Sequence, residues 1–206
     1  MEIEDCIDQI YGVKGVGEVR IRQSGPFKMV ECEIATNPSL PLYQAHQLAD
    51  RVEGLIAEKY KSVESVFIHV EPSRKEAVLA IIPVKGMDGL SSRVHGHFGR
   101  APYYIILRLL DDRLEIEDFF FNEHLGEKKH IGIKVIKVMV QYKLDMLFTA
   151  RIGEISYYML KDKFVDIYRV EEDMNVEEVM DKYRLRQLPF LTAPTHTVDE
   201  SKSAGS

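Results

Sequence analysis

Histidine and glutamate recur in this chain at spacings suited to holding a cation, and the clearest case is the stretch Phe67-Ile68-His69-Val70-Glu71-Pro72. Side chains alternate along a β-strand, so Ile68 and Val70 take one face while Phe67, His69 and Glu71 take the other, which sets imidazole and carboxylate about 7 Å apart. Such a pair on a rigid element is a chelating pair. A second group is Glu31 with Glu33, on the polar face of an expected strand, where two neighbouring acids meet either solvent or a cation. His46 heads a third group on an expected helix, with Asp50 and Glu53 one and two turns further on. A helix-surface charge pair is the simpler account of that trio.

A different chemistry is written into residues 85–100, Lys85-Gly86-Met87-Asp88-Gly89-Leu90-Ser91-Ser92-Arg93-Val94-His95-Gly96-His97-Phe98-Gly99-Arg100. Loops longer than about 12–15 residues without secondary structure of their own are usually functional or disordered. Here four glycines let the backbone approach a ligand, and His95 and His97 project together across Gly96 if the segment is extended. Arg100 adds a fixed positive charge suited to an anion or an anionic cluster. The competing account is a glycine turn with a histidine packed on the aromatic strand that follows. His124 and His130 flank another loop and are expected to be solvent-exposed.

The elements that must carry these groups follow from periodicity. Ile3, Cys6, Ile7 and Ile10 mark a short amphipathic helix ended by Gly12, and Glu18 to Arg22 and Phe27 to Ala35 form a hairpin across Gln23-Ser24-Gly25-Pro26. Pro41 opens the longest helix, Leu42 to Tyr60, with Leu42, Ala45, Leu48, Ala49, Val52, Leu55 and Ile56 as its apolar stripe and His46 at the rim. Pro72 and the charged run after it end one domain. A continuous apolar run, Ala77 to Val84, then predicts a strand buried on both faces. A hairpin (Tyr103 to Leu110, Leu114 to Phe121) and a helix from Ile131 to about Lys143 follow. Strand Met146 to Ala150, helix Gly153 to Lys161, strand Val165 to Val170 and helix Val176 to Tyr183, with Asn175 as N-cap, complete the series. Strands alternating with helices after a hairpin predict a mixed sheet covered by helices, with ligands at the carboxyl ends of its strands. The His95–Arg100 loop and the Arg151-Ile152-Gly153 turn both fall there.

Composition narrows the classes. The 206 residues are 45% hydrophobic and 29% charged with a net charge of −6, an acidic balance that argues against a nucleic-acid footprint. No stretch approaches the ~18 uninterrupted apolar residues of a membrane span. The two cysteines, Cys6 and Cys32, stand in no paired motif and suit a reducing cytosolic compartment as packing residues. The acidic opening Met1-Glu2-Ile3-Glu4-Asp5 is unlike a secretory signal.

Three segments carry a resemblance: Gly15-Val16 through Arg20-Ile21-Arg22-Gln23-Ser24-Gly25-Pro26, Ser39 through Asp50, and Phe67 through Pro72. Together they resemble the cytoplasmic C-terminal domain of cation diffusion facilitator transporters. The resemblance implies a metallochaperone-like αββαβ fold, a homodimer, and divalent metal bound near the dimer interface through Glu33, His46, His69 and Glu71. Gly17 departs from the pattern, standing where zinc-exporting members carry histidine, and neighbouring Glu18 is a substitute donor. Two imidazoles and two carboxylates accept zinc, iron(II), manganese, cobalt or nickel, with zinc or iron the leading candidates. In the second half, Ala80-Ile81-Ile82-Pro83-Val84, Ser91 through Pro102 with its His97-Phe98-Gly99-Arg100 core, and Ala150-Arg151-Ile152-Gly153 resemble the dinitrogenase iron–molybdenum cofactor biosynthesis family. That resemblance implies a ribonuclease-H-like fold and an iron–sulfur or iron–molybdenum type cluster at His97, His95 and Arg100.

The expected architecture is α/β. It comprises residues 1–73 as a dimerising, metal-sensing domain, 76–191 as a cofactor-binding-like domain and 192–206 as a disordered tail. A small first domain gains stability by dimerising. The leading reading is the cytosolic regulatory portion of a cation-efflux transporter, whose membrane domain is expected upstream in the same native polypeptide, or a soluble relative that has lost it, placed in the cytoplasm or on the cytosolic face of the cell membrane. The alternative is a soluble metallocluster carrier whose first domain only dimerises. An enzyme is disfavoured: Asp88 and Asp111 lie in loops, and no nucleophile–base pairing or metallohydrolase motif appears.

Overall fold

The computed structural model describes residues 2–38, 40–73, 77–110, 113–127 and 130–196. The chain divides into two compact units, Met1–Glu76 and Ala77–Ser206.

The first unit runs α1 (Glu2–Asp8), β1 (Gly15–Ser24), β2 (Phe27–Thr36), α2 (Leu42–Lys59) and β3 (Val63–Pro72). Its sheet has the order β1-β2-β3, with β1 antiparallel and β3 parallel to the central strand. The apolar half of the β2 alternation, Val30, Cys32 and Ile34, is fully buried beneath Leu48, Val52 and Ile56 of α2 and Ile7 of α1. Each such aliphatic side chain contributes about 1.5–3 kcal/mol by leaving water. α1 ends at Asp8, short of the expected Gly12, which turns the chain toward β1 with a φ of 102° and whose carbonyl accepts from the buried Thr36 hydroxyl at 2.9 Å. Burial holds the Cys32 thiol in its protonated form, with a pKa raised to about 11 by desolvation and then by Glu4 and Glu33. Cys6 is only half-buried, and Lys59 Nζ donates to its sulfur at 2.6 Å.

The stripe of α2 is rotated from the expected one. Gln44, Leu48, Val52 and Ile56 are its buried residues, while Leu42 is 75% exposed. At 100° per residue Leu42 and His46 each lie about 200° from Gln44, on the opposite side of the helix from the sheet. His46 is therefore exposed on the outer surface of α2, not at the rim of the buried stripe.

The second unit runs β4 (Val78–Val84), β5 (Tyr103–Leu109), β6 (Leu114–Phe121), α3 (Ile131–Met139), β7 (Met146–Thr149), α4 (Glu154–Lys161), β8 (Asp166–Arg169) and α5 (Val176–Arg184). The sheet order is β6-β5-β4-β7-β8. β5 is antiparallel to β4 and β6, and β7 is parallel to β4 and β8. β4 is central and Ala80 to Val84 are wholly buried, as its unbroken apolar run predicts. Pro83 is accommodated because its carbonyl accepts from His95 N, so the missing N–H falls on the side where the β7 ladder has already ended. Asn175 caps α5 by accepting from Glu178 N at 2.7 Å. Asp111 lies outside the described residues.

Residues 192–196 differ from the expected disordered tail. After α5 the chain runs antiparallel along the free edge of β8, with Arg169 N donating to Pro189 O and Leu191 N to Ile167 O. The Tyr168 and Phe190 rings meet at 4.4 Å, and Thr195 N then donates to Ile152 O. A free strand edge offers unpaired backbone groups, and this segment satisfies them. Residues 197–206 lie outside the described ones.

Candidate functional site

On the first unit, the face of the sheet opposite α2 carries the acids and His69. The parallel register sets Glu33 beside His69 and Ala35 beside Glu71. Glu33, His69 and Glu71 are all exposed, and Glu33 and Glu71 line one open concavity with Lys14. Glu31 makes the resolved contact with His69, its carboxylate oxygen 3.3 Å from Nε2, and Arg22 approaches the other oxygen at 3.9 Å. His46 is carried on the far side of α2 and is not brought to this group within one chain. Among the described residues no three His, Cys, Asp or Glu side chains form a closed metal cluster.

Gly17 sits in a β-bulge of β1, where Gly17 and Glu18 together face Glu33. A Cβ on Gly17 would stand 3.0 Å from the Glu33 Cβ and 3.2 Å from its carboxylate carbon, so Glu33 occupies the room a side chain at 17 would need. Glu18 is paired with Arg20 at 2.7 Å.

On the second unit, the carboxyl ends of β4, β7 and β8 share one edge because those strands are parallel. The loop after β4 is pinned there. Val94 N donates to Met174 O, His95 N to Pro83 O, and Phe98 N to Arg151 O. The buried Phe98 anchors it from below, with its carbonyl accepting from Tyr104 Oη at 2.5 Å. Gly99 permits backbone contact with the start of α3: a Cβ there would lie 2.9 Å from Gly132 N. His97 has extended backbone, φ −130° and ψ 127°, and is half-buried. The His95 Nδ1 is engaged by the backbone of His97, 3.1 Å from its N and 3.0 Å from its O.

His97 Nε2 lies 3.5 Å from Arg151 Nη1, and its ring meets that of His196 edge-on at 5.9 Å between centroids. Burial first, then the positive field of Arg151, His196, Arg100 and His95, lowers its pKa below the ordinary imidazole value. Lys85, at the rim, is neutralised by Glu172 at 3.0 Å and Asp173 at 2.7 Å. What converges beyond that pair is imidazole and guanidinium, a donor set for an anion. Bare iron–sulfur cores take thiolate ligands, and neither Cys6 nor Cys32 belongs to this unit, so a thiolate-held cluster does not fit. His196 and Arg151 are site residues that the loop motif alone does not announce. The apolar Phe190-Leu191 pair beyond α5 signals a packed segment, but no side-chain pattern places His196 itself. His130 is exposed, but His124 is half-buried and pairs with Glu127 at 2.9 Å, so it is not the solvent-exposed loop histidine expected.

Two α/β domains are thus defined, a three-stranded sheet with helices and a five-stranded mixed sheet with helices. Residues 78–186 match the family described as dinitrogenase iron-molybdenum cofactor, and the chain belongs to that family; residues 1–73, in the first unit, match that described as cation efflux protein, cytoplasmic domain. It is 34% identical over 91 residues to the cation-efflux pump FieF of Escherichia coli K12 / DH10B, a match covering 44% of this chain and 28% of the pump. The chain therefore spans under a third of the curated relatives it matches. Among solved structures, the apo form of the orange protein from Desulfovibrio gigas superposes with a TM-score of 0.51 at 18% identity. It covers 57% of this chain and 96% of its own, which shows a shared fold. The cadmium form of the MamM CTD matches at a TM-score of 0.34 and 26% identity, over 35% of this chain and 90% of its own. Among the described residues no helix is long and apolar enough to cross a membrane.

Proposed function

We propose that this chain is a non-enzymatic, metal-responsive binding module, the cytosolic regulatory portion of a cation-efflux transporter. Its first unit, a metallochaperone-like αββαβ domain, senses a divalent cation and forms a homodimer. Its second, of ribonuclease-H-like type, holds an anionic ligand such as a metal cluster that brings its own sulfide or oxide ligands. The observation that carries the reading is the Glu33–His69 register pair with Glu71 further along the same face. One imidazole and two carboxylates form a borderline donor set, which suits zinc or iron(II). The face is open and His46 is remote within one chain, so a second copy supplies the remaining donors when the ion is enclosed.

Calorimetric titration of the metal-free protein with zinc, and anaerobically with iron(II), tests this. The reading expects saturable binding that His69→Ala weakens at least about tenfold, ~1.4 kcal/mol. Binding unaltered in the variant, or absent from both proteins, would instead favour a soluble cofactor carrier whose first unit only dimerises. The exposed position of His46 is the feature that favours that alternative.

A further inference from the structure

The segment that follows α5 is fastened with more care than a chain end needs. It runs along β8 through Pro189 and Leu191, and Tyr157 Oη donates to Leu191 O at 3.2 Å. It then crosses to the turn after β7. Ile152 N donates to Thr195 Oγ1 at 2.7 Å, the same hydroxyl donates back to Ile152 O at 2.9 Å, and Glu154 N donates to His196 O at 3.2 Å. These bonds fix the backbone on both sides of the His196 ring. They also fix the ring itself: the Thr195 hydroxyl proton is used on Ile152 O, so the 3.2 Å contact with His196 Nδ1 has that nitrogen donating and turns Nε2 to the other side.

The position is made for this histidine. A Cβ on Gly153 would lie 3.2 Å from His196 Nε2, so glycine at 153 leaves the ring its room. Across from it stand His97 at 5.9 Å between rings and, 3.5 Å from His97 Nε2, the guanidinium of Arg151. Arg100 and His95 add to the same field. The nearby carboxylates, Glu172 and Asp173, are held by Lys85, and Glu172 lies against the bare Cα of Gly96. The Arg151 guanidinium supplies fixed positive charge, and the two imidazoles beside it become charged donors when an anion draws a proton onto them, which is the recognition pattern of a compact oxyanion.

We propose that His97, Arg151 and His196 form the mouth for a small tetrahedral oxyanion, and that the C-terminal segment 187–196 serves to close it with His196. The segment lies beyond residues 78–186, the span of the family match. The inference rests on the reading that the second unit takes an anionic ligand, and it adds the residues and the ligand class.

The test is calorimetric titration of the full chain with molybdate and, separately, with inorganic phosphate, on the native protein and on His97→Ala and His196→Ala. His196→Gln accompanies them, since it keeps the backbone clamp and a ring-sized polar side chain and so separates loss of ligand from loss of fold. The proposal expects saturable binding of at least one oxyanion, weakened about tenfold or more by either alanine variant and less by His196→Gln. Oxyanion binding that His97→Ala weakens and His196→Ala leaves alone would overturn the role of the C-terminal segment while sparing the anion reading. No oxyanion bound by the native chain would overturn both. Zinc bound through both histidines in place of either oxyanion would overturn the ligand class.

Discussion

The two candidate ligand surfaces of this chain are built on opposite plans. The Glu33–His69–Glu71 face is open, exposed and carboxylate-rich, its groups standing on strands whose buried sides hold the unit together. The His97–Arg151–His196 mouth joins two half-buried imidazoles to an exposed guanidinium, on side chains whose backbones are bonded to one another across three loops. An open face of acids attracts a cation but cannot surround one, and the proposed function therefore assigns the remaining donors to a second copy. The cationic mouth is assembled within one chain.

That contrast can be broken first through stability. Phe98 is 1% exposed beneath the mouth, so Phe98→Ala should cost about 3–5 kcal/mol, whereas Glu33→Ala on the open face should stay within about 0.5 kcal/mol. Urea unfolding of the two variants measures both. Equal losses would mean that the face, too, is a packed structural element.

How far the sequence disclosed this arrangement depends on the kind of information each element carries. Ala80 to Val84, apolar without interruption, could only be a central strand, and Asn175 three residues before an amide in need of an acceptor could only begin a helix. His46 was misjudged because an apolar stripe containing Leu42 and one containing Gln44 differ by two residues, and two residues are 200° of helix. Hydropathy favours leucine. The packing took Gln44, whose amide donates to the Tyr43 hydroxyl at 2.9 Å, and turned the histidine outward. His196 was hidden for another reason: its place is set by backbone hydrogen bonds to Ile152 and Glu154, which no side-chain pattern encodes. The small and polar residues from Thr192 on, with the single Pro194, read as a tail until the free edge of β8 is seen to hold Pro189 and Leu191 just before them.

A smaller effect sharpens the electrostatic side of the comparison. Burial and neighbouring positive charge favour neutral His97 in the folded chain, so the unfolded chain takes up that proton first as pH falls through the ordinary imidazole value of about 6.5. Stability should therefore decline on acidification, and the decline should flatten in His97→Gln. A bound oxyanion should reverse the sign, since it favours the protonated ring. Thermal melts across that range, with and without phosphate, check both statements.

The central claim is that one chain holds a cation on its first unit and an anion on its second. Crossed titrations test it most directly: zinc and molybdate, each against His69→Ala and His97→Ala. The account predicts that His69→Ala loses about tenfold or more in zinc affinity and keeps molybdate, and that His97→Ala does the reverse. Both variants weakening the same ligand, with the other ligand unaffected by either, would contradict it.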